Sequence, residues 1–514
     1  MSKTIIIIGA GLAGLSAALQ AAENGCNVKL VSSLPSERAQ SVMAEGGINA
    51  ALNTKDENDS PEEHFTDTIK AACGLADPNA VWGMTQAAPE LVHWLLKLGV
   101  KFNMSGYDDV DLRNFGGQKK KRTAFAQSDT GKQIMTAMID AVRRKEASGM
   151  VERVSHHSFL TLSLCGNICC GCVIRDEYSQ ETVELPGDAV IVATGGMHGL
   201  FGNTTGSLSN TGEVTAELFR LGVPLANGEM IQYHPTTVKC GGKRMLISEA
   251  ARGEGGRLFA MKDGKQWYFM EEKYPELGNL MPRDITAREI WKVSHESEVF
   301  LDMTEISEEI ISNKLSGLAD DCMTYLHKDI RKEPVSVLPG IHYFMGGILV
   351  DEQHRTPIQN LYAAGECCAQ YHGANRLGGN SLLGALYGGR VAAKSACEQA
   401  DVVDLSCATQ IDFPPASQIS EIKQLNKVMQ ETMGVVRNEN TLLNGIQTVQ
   451  ALTGNLPLLG MAVLKSALAR KESRGAHWRE DYPKSNDDDY LKTTVARFDG
   501  KQIQISFVPV PERR

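Results

Sequence analysis

Residues 4–22, TIIIIGAGLAGLSAALQAA, constrain the fold more than any other stretch of the chain. The segment has no charged residue, so its length would also suit a membrane span or a signal peptide. However, three glycines interrupt it, and its isoleucine-rich start is typical of a central strand in a parallel sheet. We therefore predict a buried strand at residues 5–8, a glycine turn and a helix. Because no other stretch suggests a span, we expect a soluble protein.

The glycines after this strand follow the pattern G-x-G-x-x-G, with Gly9, Gly11 and Gly14 at its three positions. In a dinucleotide-binding fold the first glycine makes the turn, and the second lets the backbone approach a pyrophosphate. The third lets the helix pack closely on the strand. The pattern alone is weak, but the strand–turn–helix context strengthens it and predicts nucleotide binding.

The second predicted strand, residues 28–31, ends at Ser32 and Ser33. An enzyme that binds NAD usually has an acidic residue here, which holds a ribose hydroxyl. A flavin enzyme can use a serine at this place. The departure therefore weakens the case for NAD.

Further glycine motifs suggest that one sheet closes around a long ligand. Gly46 and Gly47 lie between small residues, so their backbone can lie flat against a ligand, although an ordinary tight turn would explain the pair alone. Buried strand-like runs at residues 188–196 and 360–366 also end at glycines. Between these two runs lies a long segment of different character, which makes the nucleotide-binding domain discontinuous.

The chain of 514 residues is too long for one ordinary domain. We expect an α/β fold, in which a Rossmann-like domain carries an inserted capping domain and is followed by a helical domain. The predicted boundaries are residues 1–225 and 343–405 for the nucleotide-binding domain, 226–342 for the insert, 415–482 for the helical domain, and 483–514 for a tail with short strands.

Charge and cysteine content exclude some classes of protein. A net charge of −10 argues against nucleic-acid binding. Twelve cysteines without a secretory signal fit reduced thiols and a cytoplasmic protein. The spacing of four of them, between Cys165 and Cys172, is similar to an iron–sulfur pattern. Gly166 and Asn167 form a hairpin signal inside it, so we predict a β-hairpin and no metal site.

Two polar stretches are predicted at the surface. Residues 53–70 are polar and acidic and are expected to form a loop. The basic run at residues 119–122 is expected to be a solvated face rather than a binding patch.

The inserted segment carries most of the polar residues that suit a reaction. His234 and His342 lie near its two ends, in aromatic or Gly-Pro surroundings. A lone histidine is usually a core or surface residue, but these two lie where the insert meets the nucleotide-binding domain. Clefts between domains are common ligand sites. The segment also contains Ser248, Glu249, Arg252 and Arg283.

Residues 372–389, HGANRLGGNSLLGALYGG, combine one arginine with a glycine pair and the start of an apolar helix. We expect Ser381 to cap this helix. The positive end of the helix would then face whatever Gly378 and Gly379 contact. An arginine that packed backbone holds in place, such as Arg376, suits recognition of a planar carboxylate.

Taken in order, these motifs resemble the flavoprotein subunits of the fumarate reductase and succinate dehydrogenase family, which includes L-aspartate oxidase. The motifs are GAGLAG, AEGGINAAL, FGGQ, RTAFA, ATGG, YHPT, SEAARGEGG, PRD, HYFMGG, LYAAGE, HGANRLGGNSL and ESRGAHWREDYP. The resemblance covers nearly the whole chain. It implies FAD as cofactor, a capping domain above the flavin, and a dicarboxylate between them.

The resemblance also implies roles for individual residues. His234, Ser248, His342 and Arg376 match the positions that hold the two carboxylates. Arg283 matches the proton donor, and Glu249 and Arg252 match its proton relay. The FAD contacts match Gly9, Gly11, Gly14, Ser32, Ser33, Gly46, Gly47, Gly195, Glu366, Ser381 and Leu382.

Two positions depart from parts of the family. Members with covalently bound FAD have a histidine where this chain has Gln40, and an amide cannot form that bond, so we predict non-covalent FAD. L-aspartate oxidase has a glutamate, facing the substrate ammonium, where this chain has Phe115. Burying an ammonium without a partner is unfavourable. Phe115 therefore argues for an unsubstituted dicarboxylate.

The expected activity is reduction of fumarate to succinate, or the reverse, with hydride transfer at flavin N5 and Arg283 as proton donor. L-aspartate oxidase and a reductase of another enoate are the alternatives. A non-catalytic FAD-binding subunit would not require the histidine and arginine set. The sequence has no C-x-x-C-H heme motif, so we expect electrons from an iron–sulfur partner subunit or a soluble donor. A cytoplasmic location fits, with peripheral attachment to a membrane through partners as a further arrangement.

Overall fold

The computed structural model describes residues 2–106, 109–401, 411, 413 and 418–514. The boundaries that the sequence predicts at residues 405 and 415 lie outside the described residues. In the described part of the chain the strands are β1 (Thr4–Ile8), β2 (Asn27–Ser32), β3 (Ile48–Asn49), β4 (Leu112–Arg113), β5 (Thr123–Ala124), β6 (Val151–Ser155), β7 (His157–Cys165), β8 (Ile168–Asp176), β9 (Thr182–Pro186), β10 (Ala189–Val192), β11 (Leu225–Ala226), β12 (Ile231–Cys240), β13 (Lys243–Leu246), β14 (Arg257–Lys262), β15 (Lys265–Trp267), β16 (Val299–Asp302), β17 (Val335–Ser336), β18 (Leu338–Phe344), β19 (Gly347–Leu349), β20 (Leu361–Ala363), β21 (Cys368–Ala369), β22 (Lys492–Phe498) and β23 (Ile503–Pro509).

The α-helices of the same residues are α1 (Leu12–Glu23), α2 (Pro61–Ala71), α3 (Pro78–Leu98), α4 (Thr130–Ala147), α5 (Glu213–Arg220), α6 (Glu249–Gly253), α7 (Phe269–Lys273), α8 (Arg283–Val293), α9 (Glu308–Lys314), α10 (Ser316–Asp321), α11 (Asn380–Gln399), α12 (Ile419–Thr432), α13 (Glu439–Val449), α14 (Asn455–Ala469) and α15 (Asp487–Tyr490). None of these helices is long and apolar enough to cross a membrane.

The central sheet is parallel, with strand order β20-β10-β1-β2-β6. Its middle strand β1 is the isoleucine-rich run, and both faces of this strand are covered, as expected of a parallel sheet. The strands predicted at residues 5–8 and 28–31 are confirmed as β1 and β2. The glycine motifs after β1, β10 and β20 meet at one edge of the sheet, because parallel strands end on the same side. Ligands of α/β sheets bind at this edge.

The insert has its own core. Its strands form two antiparallel sheets, with orders β13-β12-β18 and β15-β14-β16-β17. Apolar residues from β14, β16 and helices α6 to α10 pack into one buried cluster, which also includes Phe115 from outside the insert. The two connections of the insert, β12 and β18, pair with each other, so residues near both its ends meet.

After α11 the chain continues in helices α12 to α14, and the tail then returns to a sheet. Strands β22 and β23 pair antiparallel, and β22 pairs with β11, at the entry to the insert. The fold class predicted above is confirmed; the numbered domain boundaries remain predictions. Cys169, Cys170 and Cys172 lie on β8, which pairs with β7 in the predicted hairpin.

Three local predictions are wrong. Residues 61–71 form helix α2 rather than a loop; Ser60 caps it, and Pro61 occupies its first turn. The solvated face predicted for residues 119–122 holds for Lys119 and Lys121, which are exposed, and is wrong for Arg122. Arg122 is fully buried between Asp59 and Asp67, at 2.9 and 3.0 Å, because the two carboxylates compensate its charge. Ser381 does not cap α11, since the helix begins at Asn380 and Gly379 occupies the N-cap position, two residues before Ser381.

Candidate functional site

One cavity of about 890 Å³ extends from the carboxyl edge of the parallel sheet to the insert. Cavities of this size bind cofactors and drug-sized ligands. Nearly all the site residues predicted from the sequence lie on its wall: Gly9, Gly11, Ser32, Ser33, Gly46, Gly47, Phe115, Gly195, His234, Ser248, Glu249, Arg283, His342, Glu366, Arg376, Ser381 and Leu382. Gly14 and Arg252 do not line it.

Gly14 and Arg252 lie directly behind the wall. A Cβ atom on Gly14 would be 1.9 Å from the carbonyl oxygen of Gly9, so this glycine keeps α1 close to β1. Arg252 Nη2 lies 3.4 Å from Glu249 Oε1. Both residues therefore act through residues that do reach the cavity.

The charged centre of the cavity is an ion pair between α6 and α8. Arg283 Nε and Nη2 donate to Glu249 Oε2 at 2.7 and 2.6 Å. Arg283 Nη1 donates to Gln232 Oε1 at 3.1 Å. Burial acts to raise the pKa of Glu249, but the guanidinium groups of Arg283 and Arg252 outweigh it and hold the pKa below its usual range. The carboxylate therefore stays ionised and fixes the orientation of Arg283.

Arg376 is a buried cation with spare hydrogen-bonding capacity. Its guanidinium carbon lies 4.5 Å from the ring centroid of Tyr343, a cation–π contact. Its Nε has no hydrogen-bond partner among the described residues. Burial, and then the charge of Arg283, lower the pKa of Arg376 to about 9. A buried cation with an unpaired donor is suited to bind an anion.

His234 and His342 face each other across the pairing of β12 with β18, with ring centroids 5.2 Å apart. Nδ1 of His342 bonds the Thr205 hydroxyl at 2.8 Å, and Nδ1 of His234 lies 3.1 Å from the Thr236 carbonyl oxygen. Burial, and then the charge of Arg283, hold the pKa of both imidazoles well below the usual value. Each ring is therefore neutral, and its second nitrogen is available to a ligand.

The Ser248 hydroxyl accepts from the Ala250 N–H at 3.4 Å, so this side chain caps α6. Ser248 also lines the cavity, so the residue that caps α6 is part of the cavity wall. Because α6 also carries Glu249, the position of this carboxylate depends on the cap.

Phe115 is 2% exposed, and it contributes an aromatic edge to the cavity close to Gly46. Glu45, on the same wall, is a functional candidate that the sequence analysis missed. Burial, and then the charge of Asp321, raise the pKa of Glu45 to about 8. Near neutral pH the Glu45 carboxyl is therefore mostly protonated and does not replace the negative charge that Phe115 lacks.

Gln40, at the position of the linking histidine, also lines the cavity. Its Oε1 accepts from the Ser207 N–H at 2.6 Å. Gln40 therefore ties the cofactor side of the cavity to the loop that carries Thr205, the partner of His342.

Three other contributors were missed. Thr205, Tyr343 and Gln232 contact the predicted site residues. Thr205 and Gln232 stand in no motif, whereas Tyr343 stands in HYFMGG, in which only His342 is given a role. Tyr343 follows His342 directly, and that adjacency was the available signal. The roles of Thr205 and Gln232 depend on strand pairing and loop packing, which a single sequence does not display.

The donor set of the cavity fits FAD. At the sheet end, glycine backbone and two serines form the wall, and the buried Ser32 hydroxyl lacks a partner among the described residues. At the opposite end the wall is cationic and includes the start of α11. A long ligand with a pyrophosphate and a polar ring matches backbone donors along its length.

Comparisons with known proteins agree with this arrangement. The FAD binding domain family matches residues 4–382, and the family described as fumarate reductase flavoprotein C-term matches residues 452–513. The succinate dehydrogenase flavoprotein subunit of Bacillus subtilis is 38% identical, over 100% of this chain and 98% of that protein. The L-aspartate oxidase of Streptomyces coelicolor is 31% identical, over 100% of this chain and 94% of that protein.

Among solved structures, a mutant of E. coli quinol fumarate reductase FrdA superposes with a TM-score of 0.90 at 27% identity, over 99% of this chain and 97% of that one. The fold and the cavity thus define a flavoprotein oxidoreductase. The chain belongs to the family of FAD-dependent succinate dehydrogenase and fumarate reductase flavoprotein subunits, which includes L-aspartate oxidases.

Proposed function

We propose that the chain is the catalytic flavoprotein of a fumarate reductase, interconverting fumarate and succinate with non-covalently bound FAD. The single observation that carries the proposal is the placement of Arg283 and Arg376 in one cavity. Arg283 is held by Glu249, whereas Arg376 keeps a free donor. One arginine is thus positioned to deliver a proton and the other to bind a carboxylate.

Substrate binding follows from the cationic end of the cavity. Arg376 takes one carboxylate, because its charge is buried and its Nε is unpaired. His234 and His342 are neutral and donate or accept through the ring nitrogen that Thr236 and Thr205 leave free. The Ser248 hydroxyl adds a further hydrogen bond. Burial makes these contacts stronger than they would be in water.

Bound FAD supplies the two-electron chemistry, by giving or taking a hydride at the carbon–carbon bond. Arg283 gives the accompanying proton to the neighbouring carbon. The ionised Glu249 carboxylate relays the replacement proton, which comes from solvent by way of Arg252, to Arg283 across the 2.6 Å contact. A free guanidinium is a weak acid, so the tight pairing and the basicity of the carbon that it protonates are both required.

Two side chains support the finer parts of the proposal. Phe115 offers no charge to a substrate ammonium, which favours fumarate over aspartate. Gln40 has an amide where a linking histidine would stand, which favours free FAD.

Electrons come from an iron–sulfur partner subunit or a soluble donor, at a cytoplasmic location. The relatives include proteins named as flavoprotein subunits, which supports a multi-subunit complex.

The test is anaerobic turnover of the purified, FAD-loaded chain with reduced viologen and fumarate. We expect fumarate-dependent viologen oxidation, no peroxide formation with L-aspartate in air, and release of all FAD when the protein is denatured with acid. Turnover of a larger enoate but not of fumarate, or aspartate-dependent peroxide, would replace the proposed substrate. FAD that stays with the denatured chain would contradict non-covalent binding.

A further inference from the structure

A buried amide network lies behind the substrate arginine, outside the cavity wall. The carbonyl oxygen of Gly378 accepts two side-chain hydrogen bonds, from Asn49 Nδ2 at 2.7 Å and from Gln118 Nε2 at 2.9 Å. The same Gln118 nitrogen donates to Asn49 Oδ1 at 2.9 Å. Asn49 is 0% and Gln118 5% exposed, so neither amide has solvent as an alternative partner.

The network joins three segments that are far apart in sequence. Asn49 lies on β3, two residues after Gly47, and Gln118 follows the Phe115 turn. At the start of α11, Asn380 Oδ1 accepts from Asn49 Nδ2 at 2.7 Å. The Asn49 N–H also donates to the Gly379 carbonyl at 3.1 Å. Asn49 therefore ties the glycine pair on the cofactor side to the segment that carries Arg376.

These bonds fix the direction of one peptide. A trans peptide places its N–H opposite its C=O, and the described residues contain no cis peptide. Because the Gly378 carbonyl points into the network, the Gly379 N–H is turned the other way, and Gly379 lies on the cavity wall. Gly379 has φ +83°, and a Cβ atom there would be 2.1 Å from Asn49 Oδ1. A side chain at position 379 would therefore displace Asn49 from the network.

The orientation matters because α11 starts immediately afterwards. Gly379, Ser381 and Leu382 all line the cavity, at the positive end of a helix of 20 residues. Backbone donors held in this position favour negative charge at the end of the cavity where they lie. A flavin gains negative charge on reduction, so fixed donors favour its reduced form.

We propose that Asn49 and Gln118 are positioning residues that raise the reduction potential of the bound flavin, by holding the Gly378–Gly379 peptide and the start of α11 against the cavity. This role rests on the proposed function, because the flavin potential sets the balance between reduction of fumarate and oxidation of succinate. It requires only that FAD occupies the cavity, so it can be tested without a substrate.

The decisive variant is Gln118→Met, which keeps the length of the side chain but removes the donor to Gly378. The measurement is the flavin midpoint potential of the FAD-loaded protein, by anaerobic titration with reference dyes and no dicarboxylate. We expect the affinity for reduced relative to oxidised FAD to fall about tenfold, which is about 30 mV for a two-electron couple. Asn49→Ala should lower the potential at least as much.

The matched control is Thr68→Val. The Thr68 hydroxyl accepts from Asn380 Nδ2 at 3.0 Å, so it belongs to the same buried network but does not touch Gly378. The variant should lose thermal stability and keep the wild-type potential. If Gln118→Met does not fold, Gln118→Leu, which also lacks a donor to Gly378, is measured by the same criterion.

An unchanged potential in a folded Gln118 variant would overturn the proposal. An equal shift in Thr68→Val would overturn it too, because a general loosening of the network would then explain both results. Failure of fumarate turnover with a normal shift in potential would reject the proposed substrate and leave this inference standing.

Discussion

The two sides of the cavity differ in the chemical groups that form their walls. The sheet side consists of backbone at Gly9, Gly11, Gly46, Gly47 and Gly195, with few charges. The insert side consists of buried ionisable side chains, centred on the Arg283–Glu249 pair. The sheet side therefore requires that side chains be absent. The insert side requires a partner for each ionisable side chain, because such groups are costly to bury without one.

The two sides should respond to mutation in different ways. On the sheet side a substitution acts through steric overlap, so it damages packing or cofactor binding. On the insert side, replacing an ionisable residue removes a charge or a proton donor and leaves the backbone around the cavity in place. The two sides should therefore fail in measurably different ways.

The largest effect is expected on the insert side, at Arg283. Arg283→Ala should lower kcat with fumarate by about 10³-fold, since a positioned acid contributes on the order of 10² to 10⁴. FAD content and the visible flavin spectrum should stay normal, because Arg283 is not part of the glycine wall. Steady-state viologen assays and absorbance spectra measure the two quantities.

Arg288→Ala is the matched control for Arg283. Arg288 lies on the same helix α8, but its guanidinium stacks on the Trp478 ring at 4.1 Å and does not line the cavity. Its kcat should stay close to wild type. Near-normal fumarate reduction by Arg283→Ala would show that another group provides the proton.

The next effect is expected on the sheet side, where two glycines of one motif should respond differently to replacement by alanine. Gly14→Ala places a Cβ atom 1.9 Å from the Gly9 carbonyl oxygen and should lower the free energy of unfolding by about 3 kcal/mol. In Gly11→Ala the nearest protein atom is 3.7 Å away, so the chain should fold normally. Its FAD affinity should fall about tenfold or more, because the methyl group occupies space that the ligand needs.

Thermal unfolding with and without added FAD distinguishes the two variants. Gly14→Ala should be destabilised under both conditions, whereas Gly11→Ala should differ from wild type only when FAD is present. Equal behaviour of the two variants would remove the assigned difference between packing and ligand approach.

The third comparison concerns Glu45, where the two sides meet. Its pKa is about 8 in the folded protein and about 4.3 in an unfolded chain, so between these values the folded state holds the extra proton. The free energy of unfolding should therefore fall as pH rises from about 5 to 8, by at most about 1.4 kcal/mol per pH unit from this group.

Urea unfolding of the FAD-loaded protein at several pH values measures this dependence. Glu45→Gln should remove that part of the slope, while Glu37→Gln, on the exposed surface, should leave the slope unchanged. A wild-type slope in Glu45→Gln would mean that the carboxyl ionises normally in the folded protein.

Prediction from the sequence succeeded where a local pattern and its physical cause lie within the same few residues. The strand β1 and the first glycine turn follow from hydrophobicity and backbone freedom within a few residues. It failed at α2 although Ser60-Pro61 followed by two glutamates is a start signal for a helix, because polar composition was given more weight than capping. It failed at Arg122 because the compensating Asp59 and Asp67 lie more than 50 residues away.

The fold class and the cofactor class follow from the sequence alone, and nearly all the site residues predicted from it line the cavity. Those properties follow from short motifs and from a resemblance that extends along the chain. The partners of the polar groups are visible only in the folded chain: Glu249 for Arg283, Thr205 for His342, and Asn49 with Gln118 for the Gly378 carbonyl. Hydrogen bonds and ion pairs act over a few ångströms in space. The positions of two residues along the chain do not reveal whether the fold brings them that close.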